Sequence, residues 1–223
     1  MAVAVVTGAN RGIGLELVRQ LKDRGANVVA VCRKSSPELD ALANGGVRVE
    51  AGVDVADSLA WPDLGKRFAR DDIALLINNA GILRSDSLAD AGEDEVREQI
   101  EVNAIAPLFV TQALSPRLAK GAKVALITSR MGSIADNGSG GYYGYRMSKA
   151  ALNAAGMSLA HDLKPRGIAV VMLHPGAVRT GMTGGHGQIE AKDAVRGLLA
   201  RIDELRLETT GRFLHQNGEV LPW

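Results

Sequence analysis

Val3-Ala4-Val5-Val6-Thr7-Gly8-Ala9-Asn10-Arg11-Gly12-Ile13-Gly14 is an unbroken apolar run that passes straight into a glycine-spaced turn. A short run without polar alternation fits a strand buried on both faces of a parallel sheet. Beyond the turn, Ile13, Leu17 and Leu21 recur every four residues, which marks one face of a helix that Gly25 can end. Glycines at 8, 12 and 14 let the backbone turn tightly and bring a diphosphate against the free N–H groups of a helix N-terminus. The spacing is Gly-x-x-x-Gly-x-Gly, not the commoner Gly-x-Gly-x-x-Gly. A strand-to-helix turn can need glycine for geometry alone. The place of this one, at the first strand–helix junction, favours nucleotide binding. Gly8, Asn10, Arg11, Gly12, Ile13 and Gly14 are therefore candidate cofactor residues.

Outward from this stretch the same alternation continues. Apolar runs at Asn27–Val31, Val47–Val49, Ala74–Ile77, Lys123–Ile127 and Ile168–Leu173 predict further buried strands, with the first at Val3–Val6. Helical stretches are expected at about Glu93–Leu118, Tyr142–Leu163 and Ala191–Leu207. Strand–helix alternation of this kind reads as a doubly wound α/β sheet with helices on both faces. No linker, low-complexity tract or repeat divides the chain, so one domain over residues 1–223 is expected.

Composition narrows the function classes. Lys and Arg number 26 against 25 Asp and Glu, a net charge of +1. Proteins that bind nucleic acid or anionic membranes usually carry a concentrated basic excess, so neither partner is expected. Apolar residues make up 46% of the chain and aromatics 4%, so aliphatic side chains must fill the core. The lone cysteine, Cys32, permits no internal disulfide and points to a reducing, cytoplasmic setting. The longest uncharged stretch, Val102–Pro116, is 15 residues, short of the ~20 a membrane helix needs. No basic region precedes the first apolar run, so a signal peptide is not expected either.

Four motifs then occur in register: the glycine turn, Asn78-Asn79-Ala80-Gly81, Tyr145-Arg146-Met147-Ser148-Lys149 and Pro175-Gly176. In this order the chain resembles the short-chain dehydrogenase/reductase superfamily. Ser129-Arg130-Met131-Gly132-Ser133-Ile134 and the glycine-rich stretch after 180 are similar to its compact carbonyl-reductase and C-factor-like branch. The resemblance implies a Rossmann-type fold with a seven-stranded parallel sheet, a nicotinamide dinucleotide and hydride transfer.

At the nucleotide end, Cys32 stands where NAD-preferring relatives usually carry an acidic side chain, and Arg33 follows it. A guanidinium can grip the extra phosphate of NADP with charge-assisted hydrogen bonds, whereas a carboxylate would repel it. Arg33, helped by Arg11, therefore points to NADPH over NADH, unless both arginines are solvated surface groups. Asp54-Val55 resembles the family's adenine-binding pair; Asp54 would equally serve as a cap on a helix starting near Asp57. The resemblance places the backbone of Asn79, Ala80 and Gly81 beside the adenine ribose, with the Asn side chains bracing the sheet. It also gives Pro175, Gly176, Val178 and Thr180 to the nicotinamide carboxamide.

At the chemical end, Tyr145 and Lys149 are four apart on a helix-like segment, hence on one face. An ordinary phenol has a pKa of about 10, too high for acid–base work near neutrality. A nearby ammonium and the positive nicotinamide ring should each lower it. Ser129, at a strand end, can donate to the substrate carbonyl oxygen that Tyr145 would protonate. By resemblance, Asn103 holds a water in a proton relay to Lys149. Tyr142 has Arg146 four residues on, and arginine stays protonated, so Tyr142 is rejected as the acid–base group. Residues Ala135–Gly141 lengthen the usual interval between serine and tyrosine and are expected to form a lip over the substrate. Gly181–Gln188 is expected to be a mobile, poorly enclosing lid.

The four histidines show no paired metal-site spacing, so no metal is expected, and His174 reads as a structural group or pocket wall. The expected activity is NADPH-dependent reduction of ketones or aldehydes to alcohols, reversibly, with a small carbonyl or alcohol as the partner. The alternative is an NADPH-binding signalling or regulatory protein of the C-factor type. By family analogy the Glu93–Leu118 and Tyr142–Leu163 helices would pair between subunits of a homodimer or homotetramer, with Ala150, Ala151, Ala154 and Ala155 as close-packing side chains.

Overall fold

The computed structural model describes residues 2–223. In chain order the elements are β1 (Val3–Thr7), α1 (Gly12–Asp23), β2 (Asn27–Val31), α2 (Pro37–Asn44), β3 (Arg48–Glu50), α3 (Ala60–Arg67) and β4 (Ile73–Asn78). They continue with α4 (Glu93–Ile100), α5 (Ala106–Leu114), β5 (Leu118–Ile127), α6 (Tyr143–Leu163) and β6 (Ala169–His174). Then come β7 (Val178–Arg179), β8 (Ile189–Glu190), α7 (Ala191–Glu204) and β9 (Arg212–His215). Seven strands form one sheet in the order β3-β2-β1-β4-β5-β6-β9, every pair parallel. The short β7 and β8 pair separately. No helix among the described residues is long and apolar enough to cross a membrane.

Why the strands read as continuous apolar runs is visible in the two cores. Along β1, Val3 and Val5 face one layer with Leu114 and Leu152 of α5 and α6. Ala4 and Val6 face the other layer with Leu17 of α1 and Leu198 of α7. The strand period of two thus sends successive side chains into opposite cores, and both need apolar groups. Each fully buried aliphatic side chain contributes about 1.5–3 kcal/mol. Between β1 and β4 the strand order reverses direction, which opens a crevice at the C-terminal ends of the strands, where ligands of such sheets bind.

The structure corrects three boundaries. The expected Glu93–Leu118 helix is broken: a π-helical turn covers Glu101–Ile105 and a 3₁₀ turn follows at Ser115–Arg117. Leu118 begins β5 instead, because it pairs with Ile73 of β4 across a register shift. Helix α6 starts at Tyr143, with Tyr142 ahead of it in the left-handed region at φ 53°. Helix α7 ends at Glu204, not Leu207. The seventh strand, β9, carries no aliphatic run, since Arg212 and His215 flank Phe213 and Leu214; pairing with β6 makes it a strand.

Candidate active site

Glycine builds the nucleotide crevice. Gly8 has φ +63°, and a Cβ there would lie 2.8 Å from the Ala80 Cα. On Gly14 a Cβ would strike the Gly8 carbonyl oxygen and the Asn79 Nδ2. The ends of β1 and β4 are stitched together around these glycines. Thr7 Oγ1 accepts from the Asn79 and Ala80 N–H groups at 3.0 and 3.1 Å, and Asn79 Nδ2 donates to the Thr7 carbonyl at 3.0 Å. Asn78 Nδ2 donates to Thr111 Oγ1 of α5 at 2.9 Å. Both Asn side chains therefore brace the sheet, and Thr7 is a further clamp that the sequence patterns do not mark.

Helix α1 begins at Gly12 behind Arg11, whose side chain makes no cap, and its first turn holds no acidic residue. The open N–H groups and positive end of α1 suit a diphosphate. Thr180 lies across from them, its Cγ2 3.6 Å from where a Cβ on Gly12 would sit. The openings at Gly8, Gly12 and Gly14, facing Asn79, Ala80 and Thr180, fit a dinucleotide; Asn10, Arg11, Ile13, Gly81, Pro175, Gly176 and Val178 are the neighbouring residues expected to help hold it.

At the far end of the crevice Cys32 is buried, 3% exposed, and burial followed by the charge of Asp40 pushes its thiol pKa up. Arg33 is exposed, with Nη1 3.6 Å from the Asp54 carboxylate. Asp54 does not cap a helix. Its Oδ1 accepts from the Ala56 N–H at 3.0 Å in a local turn, Val55 is buried beside it, and α3 begins only at Ala60.

Ser129, Tyr145 and Lys149 converge at the C-terminal edge of β5. All three are buried, at 6%, 8% and 4% exposure, whereas Tyr142 and Tyr143 are exposed at 37% and 40%. Lys149 Nζ donates to the Ile127 carbonyl at 2.9 Å and lies 5.8 Å from the centre of the Tyr145 ring. Burial lowers its pKa from 10.5 to about 8. Burial, which is absent from the sequence expectation, raises the pKa of the Tyr145 phenol, against a smaller lowering by a hydrogen bond with Ser129. Enclosure disfavours the charged phenolate by more than the Ser129 hydrogen bond favours it.

Several neighbours hold this group. A Cβ on Gly132 would lie 2.7 Å from the Lys149 backbone, so glycine lets the loop that carries Ser129 press directly on α6. Thr128 Oγ1 donates to Asn153 Oδ1 at 2.8 Å, tying β5 to α6 again. Asn103 sits in the π-helical turn, fully buried. Its Oδ1 accepts from the Ile82 N–H at 2.8 Å, and its Nδ2 donates to the Ile82 carbonyl at 2.9 Å and to Ser148 Oγ at 3.0 Å. Both side-chain donors are occupied, so a relay water would have to meet an oxygen of Asn103. Gly81 leaves the space for it: a Cβ there would stand 3.0 Å from Asn103 Oδ1 and 3.7 Å from Lys149 Nζ. The π turn, an insertion common at functional sites, leaves no trace in the apolar periodicity.

The two loops around the site differ from expectation in how they are held. Within Ala135–Gly141 the exposed residues fold onto α6 and the C-terminal segment. Arg146 Nε donates to the Gly141 carbonyl at 3.1 Å, and the Ala135 N–H donates to the Trp223 carbonyl at 2.9 Å. Gly181–Gln188 is pinned at its base by the β7–β8 pair and by Thr183 Oγ1, which donates to the Val178 carbonyl at 2.9 Å. Met182, half exposed, reaches a cleft of about 440 Å³ whose other walls include Leu83, Arg84, Asp86, Asp90 and Glu95. His174 ends β6 beside His215, with ring centres 5.1 Å apart. Burial first, then His215, Arg130 and Lys149, hold His174 neutral, its pKa down to about 3.

A parallel sheet with this crevice and this buried Tyr–Lys–Ser group is the framework of nucleotide-dependent oxidoreductases. The chain matches the family described as short chain dehydrogenase over residues 2–190. It is 41% identical, over 100% of both chains, to a 1-hydroxy-2-glutathionyl-2-methyl-3-butene dehydrogenase of Rhodococcus sp. (strain AD45). It is 47% identical to the C-signal protein of Myxococcus xanthus over 68% of this chain and 93% of that one. The crystal structure of an NADPH-bound carbonyl reductase from chicken fatty liver superposes with a TM-score of 0.90 at 32% identity, covering 100% of both chains. The chain belongs to the short-chain dehydrogenase/reductase family.

Proposed function

We propose that this protein interconverts carbonyl compounds and alcohols with NADP(H), with Tyr145 as acid–base group, Ser129 and Lys149 as its partners and Asn103 completing a proton relay. The observation that carries this reading is the enclosure of Tyr145, Ser129 and Lys149 together at the crevice where Gly8, Gly12 and Gly14 leave room for a dinucleotide. A bound nicotinamide dinucleotide would supply or accept the hydride. In reduction, Ser129 orients the substrate oxygen and Tyr145 delivers the proton to it. Lys149, held by Ile127, and Asn103 return a proton toward Tyr145 past Gly81. In oxidation the same groups run in reverse, so the phenol must first lose its proton.

NADP is favoured over NAD by Arg33, exposed at the crevice end with Cys32 buried beneath it. Asp54 and Val55 line the adenine side. Cys32, the chain's one thiol, fits a reducing cytoplasmic setting. Exposed Ala151 and Ala154 on α6 are where a dimer or tetramer would pack.

The test is turnover of a panel of ketones, aldehydes and alcohols followed by NADPH and NADH absorbance. The Rhodococcus relative adds 1-hydroxy-2-glutathionyl-2-methyl-3-butene to that panel, and the charged walls of the cleft suit a polar substituent. The likeness to C-signal favours a second reading, an NADPH-binding signalling protein; tight NADPH binding with no turnover on the whole panel would select it. Arg33→Ala should raise the Michaelis constant for NADPH about tenfold and leave NADH unaffected. That is the low end, about 1.5 kcal/mol, for a hydrogen bond to a charged group, as its exposure warrants. Equal use of both cofactors by the unchanged protein would refute the preference.

A further inference from the structure

We propose that Asp86 is the positioning residue for Tyr145, holding the first turn of α6 from the loop that walls the cleft. The inference deepens the reductase reading and rests on it for the role of Tyr145. Helix α6 supplies no cap of its own: its N-cap residue, Tyr142, makes no side-chain cap and sits at φ 53°. Among the described residues Tyr142 is the only non-glycine with positive φ. Such a conformation is strained for a residue with a side chain and persists only where its surroundings hold it.

Asp86, 57 residues before Tyr143 in sequence, does the holding. Its carbonyl accepts from the Tyr142 N–H at 2.8 Å. Its Oδ1 accepts from the Tyr143 N–H, and its Oδ2 from the Gly144 N–H at 3.2 Å. Tyr145 is the next residue. An anion at the positive end of a helix is also favoured by the helix dipole.

The loop is itself anchored at alternate residues. Asn103 holds both backbone groups of Ile82, and Gln99 Oε1 accepts from the Arg84 N–H at 2.8 Å. Gln99 packs against Gly144, where a Cβ would strike its Nε2 and stand 3.1 Å from the Val96 Cα. Ile82, Arg84 and Asp86 therefore form one rigid strip between the π-helical turn and the start of α6. Because Asp86 also lines the cleft, that wall and the phenol are fixed to the same strip.

Two variants test this. Asp86→Ala removes both carboxylate acceptors, and Asp86→Asn keeps one. In Asp86→Ala, amide hydrogen exchange at residues 143–145 should speed up at least tenfold. The kcat for ketone reduction should fall about ten- to hundredfold, the loss expected for a small misplacement of a reacting group. NADPH affinity, from nucleotide fluorescence titration, should stay within twofold, since Asp86 itself is not among the residues placed around the dinucleotide and Asn103 anchors Ile82 independently of it. A merely structural role would lower affinity and thermal stability along with kcat. Asp86→Asn should fall between Asp86→Ala and the unchanged protein on both exchange and kcat, and it stands in if Asp86→Ala does not fold. Unchanged exchange, or faster exchange with kcat within twofold of normal, would overturn the proposal. Absence of turnover by the unchanged protein would instead overturn the reductase reading, while exchange still decides whether Asp86 holds this turn.

Discussion

Tyr145→Phe should lower carbonyl reduction by about 10²–10⁴, the usual worth of general acid catalysis, with NADPH binding preserved. The ring keeps its packing, and Ser129 Oγ keeps the Met131 N–H at 3.1 Å as a partner, so the fold should survive. Tyr142→Phe and Tyr143→Phe alter exposed phenols and should keep most of the activity. The pH dependence gives an independent check. Burial holds the Tyr145 pKa above the ordinary 10.0, and oxidation of an alcohol needs the phenolate. Oxidation should therefore rise with pH on the alkaline side, and that rise should disappear in Tyr145→Phe. Ser129 pulls the same pKa down, so Ser129→Ala should move the rise to higher pH. Near-normal ketone reduction by Tyr145→Phe would mean that the acid lies elsewhere.

Lys149→Met should remove activity, by at least about a hundredfold, and change stability in a pH-dependent way. The lysine pKa falls from 10.5 to about 8 on folding. Between those values the unfolded chain binds the proton and the folded protein does not, so stability of the native protein rises with pH there. Below pH 8 both states are protonated, and the folded state bears the whole cost of a buried ammonium, on the order of 3 kcal/mol. Methionine removes that cost but leaves the Ile127 carbonyl without its 2.9 Å partner, a loss of about 1–3 kcal/mol. At pH 7 the variant should match or exceed the native protein in thermal stability. By pH 10.5 it should be clearly the less stable. Thermal melts across this range measure the crossing, and parallel stability curves for the two proteins would contradict the buried-ammonium account.

The retention of such a costly lysine beside a buried phenol is what a functional site looks like in energetic terms. At neutral pH the fold would be served at least as well by a methionine. The same holds for Tyr142, whose backbone conformation is tolerated at the head of the helix that carries both groups.

What could be read along the chain was whatever neighbours in the chain settle between themselves. The run Val3–Val6 and the repeat of Ile13, Leu17 and Leu21 identify β1 and α1 because burial period and helix period are local patterns. Gly8 and Gly12 announce the turn because only glycine takes positive φ there without strain. Tyr145 and Lys149 are adjacent on a helix by spacing alone. Features that depend on distant partners were not legible. Strand β9 exists through its pairing with β6, and the start of β5 at Leu118 through Ile73. Asp86 gives no sign of capping until folding brings it to α6, and Asn103 looks free until Ile82 and Ser148 take its amide. The enclosure of Tyr145 is illegible for the same reason: helix spacing shows the ammonium nearby, but desolvation is set by everything packed around both groups. Local sequence carries the short-range geometry, whereas burial and long-range hydrogen bonds come into being only when remote segments meet.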